Sequence, residues 1–266
     1  MILYSHIFII RKITTMTNKT NSKSNCRSRH IYIYILLFGL LITASFLSVM
    51  LGSVYINPAD ILKCFFTPDK TSLTYILMMN IRLPRMLGAI IAGMGLSVAG
   101  VILQGVMNNA LASPNTIGVN SGAGFFVMLA MMLFPHSGYA TSIASFVGAL
   151  LTTLAIYALA YMADSSRTTI ILAGITVSSF LNAGINTIKL INTDITLNIT
   201  SFLMGTLSGL TFNKIALPAI GIIAAVLVSF ILAKPLNILS LGDDYARSLG
   251  LNVPLTRFLL LVLSSI

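Results

Sequence analysis

Between Arg85 and Asp164 lie 78 residues without one charged side chain. A helix needs about 20 apolar residues to cross the hydrocarbon core of a bilayer, so this stretch has room for three crossings joined by short connections. A soluble fold has no use for so long an uncharged run, because its surface must be wetted by polar groups. The rest of the chain agrees: of 266 residues 56% are hydrophobic and 8% charged, against about a quarter charged in ordinary soluble domains. The apolar runs predict an all-α polytopic membrane protein with six complete crossings, at 33–55, 85–107, 115–134, 140–162, 169–189 and 214–233. A seventh begins near Arg257, and the chain reaches Ile266 inside it, so the protein is expected to be C-terminally incomplete.

A net charge of +10 would suggest nucleic acid in a soluble protein, but its placement argues for a bilayer instead. Arg11, Lys12, Lys19, Lys23, Arg27 and Arg29 precede the first apolar run with no acid among them, the bias of a cytoplasmic flank. A secretory signal has an apolar core of about 7 to 15 residues. The run Ile31–Ile56 has 26, so it reads as an uncleaved first helix. Residues 1–30 are expected to be a disordered, basic, cytoplasmic N-terminus, with Met16 an alternative start, and 31–266 a transmembrane domain. The connections 56–84, 135–139 and 190–213 then face outward, and 108–114, 163–168 and 234–256 face inward. Arg167, Lys234, Arg247 and Arg257 fall inside, but Lys63, Lys70, Arg82, Arg85, Lys189 and Lys214 fall outside, so the N-terminal cluster decides the orientation. Cys26 and Cys64 lie on opposite sides and are not expected to pair.

Catalytic patterns fail. No GxxxxGK[ST] loop is present to cradle nucleotide phosphates, and Gly93, Gly95 and Gly100 lie within a span and do not fit GxGxxG. The histidines His6, His30 and His136 are scattered and the chain contains no Glu, so a metal-hydrolase constellation is unavailable. An intramembrane enzyme and a proton-coupled carrier are both poorly supported. In the second crossing the small pairs Gly88/Ala92, Gly93/Ser97 and Gly95/Ala99 stand four apart, the spacing that lets membrane helices approach. Asn182 and Asn186 share one face of the fifth crossing, either lining a polar path or bonding a neighbouring helix.

Three segments carry more information. Ile81-Arg-Leu-Pro-Arg85 opens the second crossing, with Pro84 suited to a first helical turn and Arg82 and Arg85 either snorkelling to lipid phosphates or docking a partner's carboxylates. Gln104–Gly122 is a tight inward connection whose Asn and Ser side chains suit the exposed backbone of a Pro-containing turn. Leu236–Val253 has room for two short helices broken at Gly242, the second capped by Ser240 or Asp243 and ended by Gly250. Its two acids make it a poor lipid binder, so a surface for a cytosolic protein is expected.

In this order and at these places the segments resemble the FecCD family of ABC importer permeases, together with Leu172–Ser178 (LAGITVS) and Phe202–Gly209 (FLMGTLSG). The resemblance implies a BtuC-like permease fold of ten transmembrane helices, of which about three would follow Ile266. It implies a permease paired with a second permease subunit, identical or paralogous, that carries an iron-siderophore, haem or cobalamin by alternating access. ATP and Mg would be used by a separate cytosolic ATPase dimer, with no cofactor on this chain. Arg82 and Arg85 would dock an extracytoplasmic substrate-binding protein. Leu241, Gly242, Asp243, Ala246, Arg247, Leu249 and Gly250 would couple to the ATPase, with Asp243 where the family usually has Glu. Ser166, Thr168 and Thr169 would contribute to a cytoplasmic gate, and Asn182 and Asn186 to the pathway. The alternatives are an ATP-independent channel or secondary transporter, or a non-functional permease fragment.

Overall fold

A computed structural model describes residues 31–52, 54–66, 70–135, 137–163, 166–191, 199–200 and 202–266. The basic segment before the first apolar run, Met16, Cys26, the three histidines and Asp164 lie outside the described residues. Those described are helical, with no strand among them, as a bilayer demands when every backbone polar group must be satisfied within its own segment. Five stretches are long and apolar enough to cross a membrane: Ile31–Met50, Leu73–Met107, Tyr139–Met162, Arg167–Ile191 and Phe212–Leu239. Two apolar helices are shorter, Val119–Leu133 and Val253–Ser264. The protein is thus a multi-pass membrane protein.

The chain divides at Met78 into two units. In the first, α1 (Ile31–Met50) stops short of the expected 55, and the Ile56 amide bonds back to the Met50 carbonyl at 3.2 Å. Gly52 and the β-branched Val54 and Ile56 are apolar by composition but poor helix formers, which is why hydropathy overran the end. Next, α2 (Pro58–Phe66) begins on Asn57, whose side chain accepts from the Ala59 amide. Then α3 (Leu73–Leu77) is capped by Ser72, which accepts from the Tyr75 amide.

A π-helical turn, Met78–Arg82, follows α3 in the chain. Within the second unit come α4 (Leu83–Met107), α5 (Pro114–Ile117), α6 (Val119–Leu133), α7 (Gly138–Met162) and α8 (Arg167–Ile191). They are followed by α9 (Phe212–Leu239), α10 (Asp243–Ser248) and α11 (Val253–Ser264). Pro84 stands in the first turn of α4, as expected. Asn108 ends that helix in the left-handed region, φ 49°. Gln104 donates to the Ala110 carbonyl and Asn109 accepts from the Leu111 amide, so side-chain amides do satisfy the turn.

The third expected crossing, 115–134, is split at Gly118, φ 90°. A Cβ there would strike Ser178, and one on Gly174 of α8 would lie 2.6 Å from the Ile117 carbonyl oxygen. The break is therefore where α5 and α6 press backbone against α8. Likewise a Cβ on Gly148 of α7 would stand 2.7 Å from the Gly122 carbonyl of α6. Small residues allow such contact where lipid supplies no hydrophobic drive between helices. In α4, by contrast, Gly88 and Gly95 receive Leu210 and Ile222, while Gly93 and Gly100 face nothing within 4 Å.

Helix α9 continues through Pro235 to Leu239, so Leu236–Leu239 end a long helix rather than forming a short one of their own. One short helix, α10, remains of the two expected. Gly242 is its N-cap at φ 121°, without a side-chain cap. Ser240 instead bonds the Asn237 carbonyl, and Asp243 is engaged elsewhere. The expected stop at Gly250 is present: at φ 79° its amide bonds Arg247 and the next amide, Leu251, bonds Ala246, a Schellman closure. The last helix starts at Val253, one turn before Arg257, because Asn252 caps it and accepts from Leu255. Ile102, Leu103, Val106, Ile156, Ile170, Leu239, Ala246, Leu260 and Leu261 form the apolar core under this end of the helices.

Replacing Gly174 with Ala forces a methyl against backbone that cannot yield, and overpacking of this kind costs about 1–3 kcal/mol. The purified Gly174→Ala protein should unfold at lower temperature in detergent, whereas Gly93→Ala, whose methyl meets nothing within 4 Å, should match the wild type.

Candidate functional site

Three charged groups of the second unit, Arg167, Asp243 and Arg257, gather where α4, α8, α9, α10 and α11 meet. Arg257 projects from α11 into the core and its side chain is only 2% exposed. A guanidinium there requires a counter-charge, since an isolated buried ion is far too costly. Asp243 supplies it: Arg257 Nη2 donates to Oδ2 at 2.8 Å and to Oδ1 at 2.9 Å. From the other side Arg167, the first residue of α8, donates Nη2 to Asp243 Oδ1 at 2.8 Å and to the Leu239 carbonyl at 3.2 Å. The Asn108 amide, oriented to satisfy both neighbours, accepts from Arg167 Nη1 at 3.2 Å and donates to the Ser240 carbonyl at 3.3 Å. Burial pushes the Asp243 carboxyl pKa up, but the hydrogen bonds and charge of Arg257, with Arg167 behind it, outweigh burial and hold it below its ordinary value.

This use of Asp243 was not legible in the sequence, where it was an expected helix cap and a coupling contact. Its carboxylate points into the protein, toward residues 76 and 14 positions away in sequence. Ala246, one turn on, is completely buried. Gly242 is half-buried, and Leu241, Arg247, Leu249 and Gly250 are exposed. Leu241, Tyr245 and Leu249 are 64%, 70% and 65% exposed, an apolar row with four-residue spacing. Tyr245 was missed among the expected contact residues, although its spacing from the two leucines marks it. The seven expected coupling residues thus separate into those that hold α10 down and those it presents outward.

Ser166, Thr168 and Thr169 are brought together beside this cluster. Ser166 Oγ lies 2.9 Å from Thr168 Oγ1 and 2.7 Å from Thr169 Oγ1, and accepts from the Thr169 amide at 3.1 Å, capping the start of α8. Farther along α8, Asn182 and Asn186 are both exposed, and Asn182 donates to Ser121 of α6 at 3.2 Å. Thr176, Ser179 and Thr187 are exposed too, each hydroxyl bonded to the carbonyl one turn back. These polar groups stand among exposed apolar side chains of the same helix, Leu172, Ile175 and Phe180. Arg82 and Arg85 stand apart from all of these, at the other end of α4. Arg85 is exposed and Arg82, closing the π-helical turn, is half-buried. From Arg85 to Asn108 the helix rises about 35 Å at 1.5 Å per residue, a full membrane thickness.

Two further features carry no chemistry. A cavity of about 530 Å³ among α4, α6, α7, α9 and α11 is lined mainly by apolar groups such as Leu96, Val98, Phe202 and Ile222. Among the described residues no three His, Cys, Asp or Glu side chains cluster as metal ligands.

Removing Asp243 leaves the Arg257 charge buried and uncompensated, a loss of about 3–5 kcal/mol where one partner of a buried pair is deleted. Asp243→Ala should therefore lower the unfolding midpoint of the purified protein strongly at neutral pH. Because the folded-state pKa is depressed, the stabilisation is complete above the ordinary carboxyl pKa and is lost as pH falls through the depressed one. The gap between wild type and variant should hold across the neutral range and close only in strong acid. A midpoint unchanged at neutral pH would contradict the assignment.

Known proteins share this fold. The Fe(3+)-citrate import system permease protein YfmE of Bacillus subtilis is 30% identical over 236 residues, covering 88% of this chain and 70% of that protein. The ferric enterobactin transport system permease protein FepG of Escherichia coli is 31% identical over 232 residues, covering 86% and 70%. A solved metal-chelate type ABC transporter in an inward-facing conformation superimposes with a TM-score of 0.76 at 26% identity, covering 88% of this chain and 72% of that one. These relatives are transporter subunits. Residues 40–266 match the model of the FecCD transport family, and the chain belongs to that family.

Proposed function

We propose that this chain is the permease subunit of an ATP-binding-cassette importer that moves an iron-siderophore complex, or a related chelate such as haem or cobalamin, by alternating access. The observation that carries the reading is the division of labour along α4. One end presents a short helix with an exposed apolar row, Leu241, Tyr245 and Leu249, seated on the ionic cluster. The other presents Arg85, exposed, and Arg82, half-buried. A cytosolic ATPase dimer takes the first surface, and the carboxylates of an extracytoplasmic substrate-binding protein take the second. Three large apolar side chains exposed on and beside α10 argue against a purely solvated role for it, because such patches mark interaction sites.

Between the two ends, α8 lines the pathway, with Asn182 and Asn186 adding amides to a helix surface that also exposes Leu172, Ile175 and Phe180. Ser166, Thr168 and Thr169 form the inner gate. A second permease subunit, identical or paralogous, completes the pathway. ATP and Mg are used by the ATPase and not by this chain. The basic residues before the first helix set the N-terminus in the cytoplasm of a bacterial cell, so the α10 end faces inward and Arg82 and Arg85 face outward. The relatives that transport ferric citrate and ferric enterobactin support iron chelates as the cargo class.

Docking on arginines is testable by charge reversal. Arg82→Glu with Arg85→Glu should reduce affinity for the substrate-binding protein by at least about a hundredfold, as loss of complementary charge at an interface typically costs several kcal/mol. Membrane insertion should be unaffected. Unchanged affinity of the reconstituted double variant, measured by surface plasmon resonance, would remove these arginines from the docking surface.

A further inference from the structure

The ionic cluster joins Asn108 at the end of α4, Arg167 at the start of α8, the Leu239 carbonyl at the end of α9, Asp243 at the start of α10 and Arg257 in α11. Its two arginines are not equivalent. Arg257 is 2% exposed and grips both carboxylate oxygens of Asp243, so it is the fixed anchor. Arg167 is 21% exposed and reaches one oxygen of the same carboxylate. At the same time it donates to the Leu239 carbonyl and to the Asn108 amide oxygen. A guanidinium with several acceptors in reach can keep one set while giving up another, and a contact with two discrete arrangements is what coupling between sites requires.

The position of Arg167 in the chain gives this contact a consequence. It stands between Ser166 and Thr168, and the Ser166 hydroxyl network is what caps α8. A pull on its guanidinium therefore acts on the first turn of α8. Charge-assisted hydrogen bonds are about twice as strong as neutral ones, which makes this the stiffest polar tie from α10 toward that turn. We propose that Arg167 is the positioning residue that converts movement of α10 into movement of the Ser166–Thr169 segment, through its bond to Asp243. The role rests on the reading above, in which α10 receives the ATPase and 166–169 form the gate. The bland alternative is a cluster that only stabilises the fold.

Two readouts separate these. The first uses the permease alone in nanodiscs, with Cys26 and Cys64 replaced by Ser and spin labels on Ser248→Cys in α10 and Leu172→Cys in α8. Arg167→Gln should shift or broaden the distance distribution between the labels, and Arg167→Lys, which keeps the charge, should restore most of it. A distribution superimposable on the wild type would overturn the tie. The second uses the complete transporter in proteoliposomes, with ATPase and binding protein. Arg167→Gln leaves the Asp243–Arg257 pair in place, so the complex should assemble and hydrolyse ATP. Substrate moved per ATP should fall about tenfold, within the usual range of site-to-site coupling, and partly recover in Arg167→Lys. Wild-type stoichiometry in Arg167→Gln would leave only a structural role and overturn the proposal. Failure of the wild-type complex to import would overturn the transport reading instead, and the label distances would still decide whether the tie exists.

Discussion

A guanidinium buried in an apolar helix end dictates much of what surrounds it. Arg257 enters the core from the second turn of α11, and its charge is tolerable only because Asp243 is brought to it. With its carboxylate committed inward, Asp243 cannot cap its own helix, and the start of α10 falls to Gly242 in a conformation, φ 121°, that side chains rarely adopt. Ala246 then packs beneath the helix, small enough to bring it close to the core. What remains uppermost is the apolar row of Leu241, Tyr245 and Leu249. The surface assigned to a partner is thus a by-product of satisfying one buried charge.

The same economy of charge shapes the rest of the second unit. Where helices must touch closely, the contacts are backbone on backbone at Gly118, Gly122, Gly148 and Gly174, which suits a bilayer that offers no hydrophobic drive for association. Where α8 keeps an open face, hydroxyls and amides stand among exposed apolar side chains such as Leu172 and Ile175, and several of the hydroxyls return hydrogen bonds to their own helix. The ionic cluster and the Arg82–Arg85 pair stand at opposite ends of α4, about 35 Å apart by helical rise.

Much of this was legible in the sequence, and the exceptions have identifiable causes. Five of the six expected crossings, the Pro84 start and the Gly250 stop follow from local rules of hydropathy and capping and hold in the structure. Local rules also set the errors. They extended α1 past Gly52, because hydropathy does not weigh helix propensity. Residues 236–239 were assigned to the inner connection rather than to α9, although the helix runs through Pro235 to Leu239. Ser240 and Asp243 were read as caps because a cap is the commonest use of such residues near a helix start. The packing role was expected in the glycines of α4, two of which face open space, while the tightest approaches lie on α6, α7 and α8. Above all, Arg167 and Arg257 looked like members of a basic inner flank. Their pairing with Asp243 is a tertiary fact that no window of sequence contains, and only the folded chain shows that these charges tie α10 to α8 and α11.

The most direct test of the account is uptake by the reconstituted transporter: ferric-siderophore accumulation in proteoliposomes containing this permease, with its ATPase and substrate-binding protein present or withheld. The account predicts accumulation that requires ATP on the α10 side and binding protein on the Arg82 and Arg85 side, and that ceases when the ATPase is omitted. Accumulation that persists without the ATPase would contradict it and make the protein a channel or secondary carrier built on the same fold.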